Sequence, residues 1–190
     1  HRNDVVHRDL KPSNVFAHDL DGAGGQQAVV KILDFGLAKL IGHDPDNPIS
    51  TESPTAAMTD TGAVVGTPGY MAPEMARGEA VDERTDVYAL GATLYFLITG
   101  RPPFQSASCA ETIRQVIEDD AVPVRSLSPA CPRDLETIVL KAAAKSPRDR
   151  YASAMDLAND LRRQLVVRQA ASRKDGQLLA EHQCVHTVHS

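Results

Sequence analysis

The stretch His7-Arg8-Asp9-Leu10-Lys11-Pro12-Ser13-Asn14-Val15-Phe16 sets a carboxylate, an ammonium and a carboxamide close together ahead of a β-branched run. Phosphoryl transfer asks little covalent chemistry of a protein; it asks for positioning and for neutralisation of charge. Asp9 can accept a proton from an attacking hydroxyl, and Lys11, two residues on, can reach a transferred phosphate. Asn14 offers a neutral oxygen to a hard cation such as Mg2+. A second block, Lys31-Ile32-Leu33-Asp34-Phe35-Gly36, brings a carboxylate off the end of a β-branched run just before a glycine. "NVFA" (14–17) and "AVVKILDF" (28–35) read as a hairpin across the glycine-rich 18–27. If the hairpin closes so, Asn14 and Asp34 face each other and one cation fits between them.

Outward from these blocks the chain changes character. Residues from about 42 to 61 are rich in Pro, Asp, Ser and Thr without apolar periodicity, which predicts a long loop. From Asp86 to Ile98 nearly every face is apolar, and Gly100, Pro102 and Pro103 follow as stops, so a helix buried all round is expected. Ser108 and Glu111 stand at capping-box spacing before a short amphipathic helix. Pro132 suits a helix's first turn, with Leu135, Ile138, Val139 and Ala142 on one face. Ser153 caps a last helix whose buried stripe is expected to be Leu157, Leu161 and Leu165. The result is a mainly helical α+β fold: one hairpin, one long loop and about four helices around a hydrophobic central one.

Composition narrows the function classes. At 190 residues and 42% hydrophobic the chain can bury a sizeable core. Its net charge of -5 argues against a nucleic-acid partner, which calls for a basic face. Cys109, Cys131 and Cys184 are few, distant and odd in number, which predicts free thiols and a reducing, cytoplasmic setting. The run "YALGATLYFLI" is too short to span a bilayer, so no membrane segment is expected in this chain.

The two blocks, followed by "GTPGYMAPE" (66–74) and "DVYALGATLYFLITGRPPF" (86–104), resemble the protein kinase family from about Val5 to Leu165. The resemblance covers the C-terminal lobe of the kinase fold: residues 1–165 as catalytic loop, activation segment and C-terminal helices, with 166–190 a polar, frayed tail. It implies that Asp9 is the catalytic base and that Asn14 and Asp34 are the metal ligands. Lys11 within "DLKPSN" is similar to the serine/threonine branch, where Thr67 bonds towards the base and the lysine and shapes the substrate groove. Lys11, Asn14, Asp34 and Phe16 fall to ATP binding, Phe16 either as a floor under the adenine or as an ordinary core residue. Arg8 is implied to bind a phosphate on the activation loop, and Thr59 and Thr61, a TxT pattern before "GT", are the phosphorylated positions. Structural roles fall to Glu74 paired with Arg150, and to Asp86 accepting backbone hydrogen bonds from the catalytic loop. His7 is implied to be a buried, satisfied histidine with Phe35 packed against it.

The activity implied is a bacterial-type serine/threonine protein kinase using ATP with Mg2+, or Mn2+ in its place, on protein substrates. A kinase dimer for trans-autophosphorylation goes with it, as does membrane anchoring of a longer protein. The glycine-rich loop, strand lysine and helix glutamate of the N-terminal lobe are not in the sequence. Their expected place is before His1, so the chain alone is expected to hold ATP poorly. The alternative is a non-catalytic lobe that docks proteins.

Other chemistry-bearing clusters read as bland. "HDLDG" (18–22) lacks the later ligands of a calcium loop, and His18-Asp19 and His43-Asp44 have no partner histidines at useful spacing. His182, Cys184, His186 and His189 crowd into a tail with no core around them, which disfavours a zinc site.

Overall fold

A computed structural model describes residues 5–19, 28–33, 39–40 and 68–168. Its axis is a helix, α2 (Glu83–Thr99), capped by the Asp82 carboxylate, which accepts the Arg84 N–H at 2.8 Å. That cap starts the helix at Glu83, three residues before Asp86, where the sequence reading placed the beginning of the apolar stretch. Gly100 ends it in the left-handed region, at φ 77°, which a residue with a Cβ adopts only at a cost.

The other helices wrap α2. They are α1 (Pro73–Arg77), α3 (Cys109–Glu118), α4 (Val124–Leu127), α5 (Arg133–Ala142) and α6, which runs through 154–168. Val87 of α2 meets Ile138 and Ala142 of α5 and Leu157 of α6, with Tyr151 between them. Tyr95, one turn-pair further along, meets Val124, Cys131 and Val139. Tyr88 and Ala92 face Ala72 and the half-buried Tyr70 and Met75. A helix so surrounded needs no single apolar stripe, as its sequence indicated.

The short α1 and α4 were not expected, because four or five residues carry no readable period. Only half of the capping box forms: the Ser108 hydroxyl accepts the Glu111 N–H at 3.4 Å, while the Glu111 carboxylate turns to Arg114. Pro132 stands one position before α5, as its N-cap. Ser153 does cap α6, accepting the Asp156 N–H at 3.2 Å. The expected stripe of α6 is corrected at one end: Leu157 is buried and Leu161 packs against it, but Leu165 is 59% exposed and joins none of the buried clusters among the described residues.

Two small antiparallel pairs complete the description. β2 (Val15–Asp19) and β3 (Ala28–Ile32) form the expected hairpin, with Val15 opposite Ile32 and Phe16 opposite Lys31. β1 (Val5–Val6) pairs with β4 (Lys39–Leu40), a contact too short to be seen in the sequence. Val6 is fully buried, which pins the chain just before His7.

Gly91 explains how α5 comes so close to α2. A Cβ built there lies 2.8 Å from the Ala142 Cβ and 2.8 Å from the Ala143 backbone nitrogen. Replacing a mid-helix glycine by alanine ordinarily favours a helix by about 1 kcal/mol. Here the backbone of α5 blocks the methyl, and overpacking of this kind costs about 1–3 kcal/mol. Gly91→Ala is therefore expected to lower stability in chemical denaturation; an unchanged or raised midpoint shows that α5 slides freely on α2.

Candidate active site

The segment from His7 to Asn14 is held in place before it can do chemistry. Arg8 has φ 68°, an unusual value for a residue with a side chain. The conformation is held by Asp86, whose two carboxylate oxygens accept the His7 N–H at 2.8 Å and the Arg8 N–H at 3.0 Å. Burial pushes the Asp86 carboxyl above the usual carboxylate range, and those two N–H donors oppose the rise. His7 is 4% exposed. Its Nδ1 accepts the Asp9 N–H at 3.3 Å, so the ring proton sits on Nε2, which donates to the Leu33 carbonyl at 3.2 Å. The imidazole thus ties the 7–14 loop to the strand end that precedes Asp34.

Asp9 itself is oriented by one oxygen. Its Oδ2 accepts from Lys11 Nζ at 2.8 Å and from Asn14 Nδ2 at 3.0 Å, and the same Nδ2 donates to the Asp9 carbonyl at 2.9 Å. A carbonyl only accepts, so the amide of Asn14 is fixed with its nitrogen inward and its Oδ1 turned the other way. Among the described residues nothing donates to Asn14 Oδ1 or to Asp9 Oδ1. The 3-10 turn Pro12–Asn14 sets this spacing, closed by the Asn14 N–H on the Lys11 carbonyl at 2.9 Å. Asn14 also joins the hairpin, since its carbonyl accepts the Leu33 N–H at 2.8 Å. A free carboxylate oxygen and a free carboxamide oxygen on one rigid loop suit a proton acceptor beside a hard cation.

A second anchor lies under this loop. Arg150 donates both terminal nitrogens to Glu74, each at 2.7 Å, in a fork-on-fork pair that is 0% and 3% exposed. Its remaining N–H groups go to the carbonyls of Ala144, Arg84 and Lys145 at 2.7 to 2.9 Å, and its plane lies 4.9 Å from the Tyr88 ring centre. Glu74 also accepts the Thr85 hydroxyl at 2.8 Å. Burial alone raises the Glu74 carboxyl, but the hydrogen bonds and charge of Arg150, with help from Thr85, hold it below the usual range.

Of the site residues read from the sequence, Asp9, Lys11 and Asn14 come together, Asp86 accepts from the His7 and Arg8 N–H groups, and Glu74 pairs with Arg150. The Arg8 side chain makes no described hydrogen bond through Nε, although that atom is buried. Phe16 is 60% exposed and shares its face of the hairpin with Lys31, while the exposed Val30 and Ile32 lie on the other face. Asp34, Phe35, Thr59, Thr61 and Thr67 lie outside the described residues, as do His43, Asp44, His182, Cys184, His186 and His189. Sequence reading missed the Leu33 carbonyl, Thr85 and Tyr88. Backbone acceptors leave no sequence signal; Thr85 could have been suspected, since it adjoins Asp86. Among the described residues no cluster of His, Cys, Asp and Glu is set to hold a metal by itself, and no helix is long and apolar enough to cross a membrane.

Comparison with known proteins shows what the chain is similar to. Residues 1–175 match the family model described as "Protein kinase domain". A probable serine/threonine-protein kinase of Corynebacterium efficiens is 39% identical over 177 residues, covering 91% of this chain and 24% of that protein. Serine/threonine-protein kinase PknB of Mycobacterium tuberculosis is 39% identical over 161 residues, or 85% of this chain and 23% of that protein. The probable PknB of Bifidobacterium longum is 37% identical over the same length. The chain thus spans about a quarter of these relatives.

The buried Glu74–Arg150 pair makes a stability prediction. Arg150→Met leaves a desolvated carboxylate with only Thr85 as partner, and breaking a buried pair on one side costs about 3–5 kcal/mol. The double variant Glu74→Gln/Arg150→Met is expected to recover much of that loss. Because the Glu74 pKa is lowered on folding, its contribution is present above the ordinary glutamate pKa and fades as pH falls through the folded value. Glu74→Gln should therefore lose less stability on acidification than the wild type. A pH profile of equal slope for both contradicts the assignment.

Proposed function

The chain belongs to the protein kinase family, and from that premise we propose that the protein to which it belongs transfers the γ-phosphoryl group of ATP to serine and threonine hydroxyls of proteins. The observation that carries the proposal is the Asp9 carboxylate, one oxygen held by Lys11 and Asn14 and the other open. The open oxygen takes the proton of the attacking hydroxyl, and its fixed partner prevents the carboxylate from rotating away. Lys11, 20% exposed, stands beside the base as the cation for the transferred phosphate. Asn14 Oδ1 and Asp34 are the oxygens that would hold Mg2+, or Mn2+ in its place; when bound, the ion neutralises the phosphates of ATP. Thr67, carried by family resemblance, orders the base and the lysine towards the substrate.

The exposure of Phe16 supports the adenine-floor role over a core role, since a core residue is not 60% in water. Arg8 supports loop control: a buried guanidinium N–H with no hydrogen-bond partner among the described residues suits capture of a phosphate. A phosphate on Thr59 or Thr61 adds about −1.5 to −2 charges and can order the segment onto Arg8. Trans-autophosphorylation between two copies supplies that phosphate, and a cytoplasmic location supplies the ATP. The reading as a non-catalytic docking lobe has no need of the Asp9, Lys11 and Asn14 arrangement.

Asp9→Asn in the full-length protein keeps the shape of the side chain and removes the base. Phosphotransfer to protein is expected to fall by about 10²–10⁴-fold with the melting temperature little changed; a retained rate defeats the proposal. Phosphosite mapping of the active protein should find Thr59 or Thr61 modified, and a clean loop in a fully active sample removes Arg8 from the regulatory role.

A further inference from the structure

A cleft of about 570 Å³ opens between the turn Pro68–Tyr70, the end of α2 and the start of α3. Its walls are Pro68, Tyr70, Phe96, Pro102 and Phe104, with Cys109 at the first position of α3. Among the described residues no charged side chain lines it. Tyr70 and Phe96 meet edge to face at 6.2 Å, leaving apolar ring surface towards the cleft. An anion such as a nucleotide phosphate finds no cation here, whereas an aromatic or large aliphatic side chain finds a wall of its own kind. The size falls within the range of about 300–1,000 Å³ common to ligand pockets.

A second cleft, of about 350 Å³, shares the wall Pro102, Phe104 and Gln105. It is lined by Asp119 and Asp120 with Arg101 opposite. Arg114 is shared among Glu111, Glu118 and Asp119, and Asp120 has no ion pair among the described residues. Lys145 also faces Asp119 and Asp120, but its ammonium is engaged: it donates to the Gln115 and Val116 carbonyls and lies 3.7 Å from the centre of the Phe104 ring. Arg77 donates to the Ile117 carbonyl at 3.1 Å. Two cations thus fix the C-terminal turn of α3, and the carboxylates beyond it keep an excess of negative charge.

We propose that these adjoining clefts form a docking site for protein substrates, the first taking an aromatic or large aliphatic side chain and the second a lysine or arginine next to it. The inference rests on the kinase reading given above. The site is separate from the phosphoacceptor position. Asp86, which holds the catalytic loop, and Phe96, which lines the cleft, stand ten residues apart on α2, which is about 15 Å along a helix. An extended chain covers that distance in roughly five residues. A docked segment therefore holds the acceptor near Asp9 without occupying the acceptor's place, and it acts by raising effective concentration.

The test compares peptides carrying one acceptor threonine, with and without a Phe-Lys-Arg cassette joined through about six Gly-Ser residues on either side. With the full-length protein, the cassette is expected to lower KM about tenfold at unchanged kcat, and Phe→Ala in the cassette should cancel the gain. Cys109→Trp, which fills the first cleft, and the exposed Asp120→Lys, which reverses the charge of the second, should each remove most of the gain and leave the plain peptide unaffected. Neither residue belongs to the catalytic loop, and Asp120→Lys alone decides the matter if Cys109→Trp does not fold. A KM unmoved by the cassette on both sides overturns the docking site while leaving the kinase reading intact. Variants that instead break an oligomer into monomers, with KM unmoved, make the surface an interface between copies and overturn it equally. A wild type that phosphorylates neither peptide nor any protein overturns both readings.

Discussion

The Asp86 carboxylate, 3% exposed in the first turn of α2, accepts the N–H groups of both His7 and Arg8. Those two donors lie on either side of a peptide unit in which Arg8 is held at φ 68°. Such backbone costs of order 1–3 kcal/mol and persists only when its surroundings over-determine it. A buried carboxylate with two backbone donors does so, because leaving either donor or acceptor unpaired in the interior costs about as much again. The placing of the 7–14 loop follows from this constraint. With His7 and Arg8 fixed, the next residue, Asp9, has little freedom left, and Lys11 and Asn14 remove what remains.

The first turn of α2 is also where other segments meet. Arg84 lends its carbonyl to Arg150, Thr85 lends its hydroxyl to Glu74, and Asp86 lends its carboxylate to the catalytic loop. Three successive residues thereby tie together the 7–14 loop, the Met71–Glu74 segment and the turn before α6. A helix is well suited to this: successive residues point about 100° apart, so neighbours in sequence can hold partners on different sides. The apolar residues that follow, Val87, Tyr88 and Tyr95, then bury the rest of the helix in three separate clusters.

What could be read in the sequence, and what could not, divides along physical lines. The central helix was legible because apolar residues on every face leave few alternatives to burial, and its stop was legible in Gly100. The hairpin was legible from β-branched runs flanking a glycine-rich turn. Asp9, Lys11 and Asn14 were legible because a tight 3-10 turn brings together residues already close in the chain. The pairings of Glu74 with Arg150 and of Asp86 with the loop span 76 and 79 residues. No local pattern reports contacts at that separation; only the family resemblance implied them. The exposure of Leu165 and the Lys145 cap on α3 were not legible by either route, since one depends on tertiary packing and the other on backbone carbonyls.

Placing charge in the interior is an expensive way to make a fold stable, because desolvation consumes most of what the pairing returns. Apolar groups in place of Glu74 and Arg150 could give comparable stability. What they could not give is direction. Arg150 satisfies its donors on Glu74 and on three carbonyls from separate segments, so a small rotation or slip of any one of them loses a hydrogen bond. Packing between the apolar clusters tolerates such slips far better, since the hydrophobic effect has no preferred angle. The division of labour is therefore physical. Val87, Tyr95, Ile138 and Leu157 hold the helices together, while Asp86, Glu74 and Arg150 decide where the loop bearing Asp9 stands relative to them.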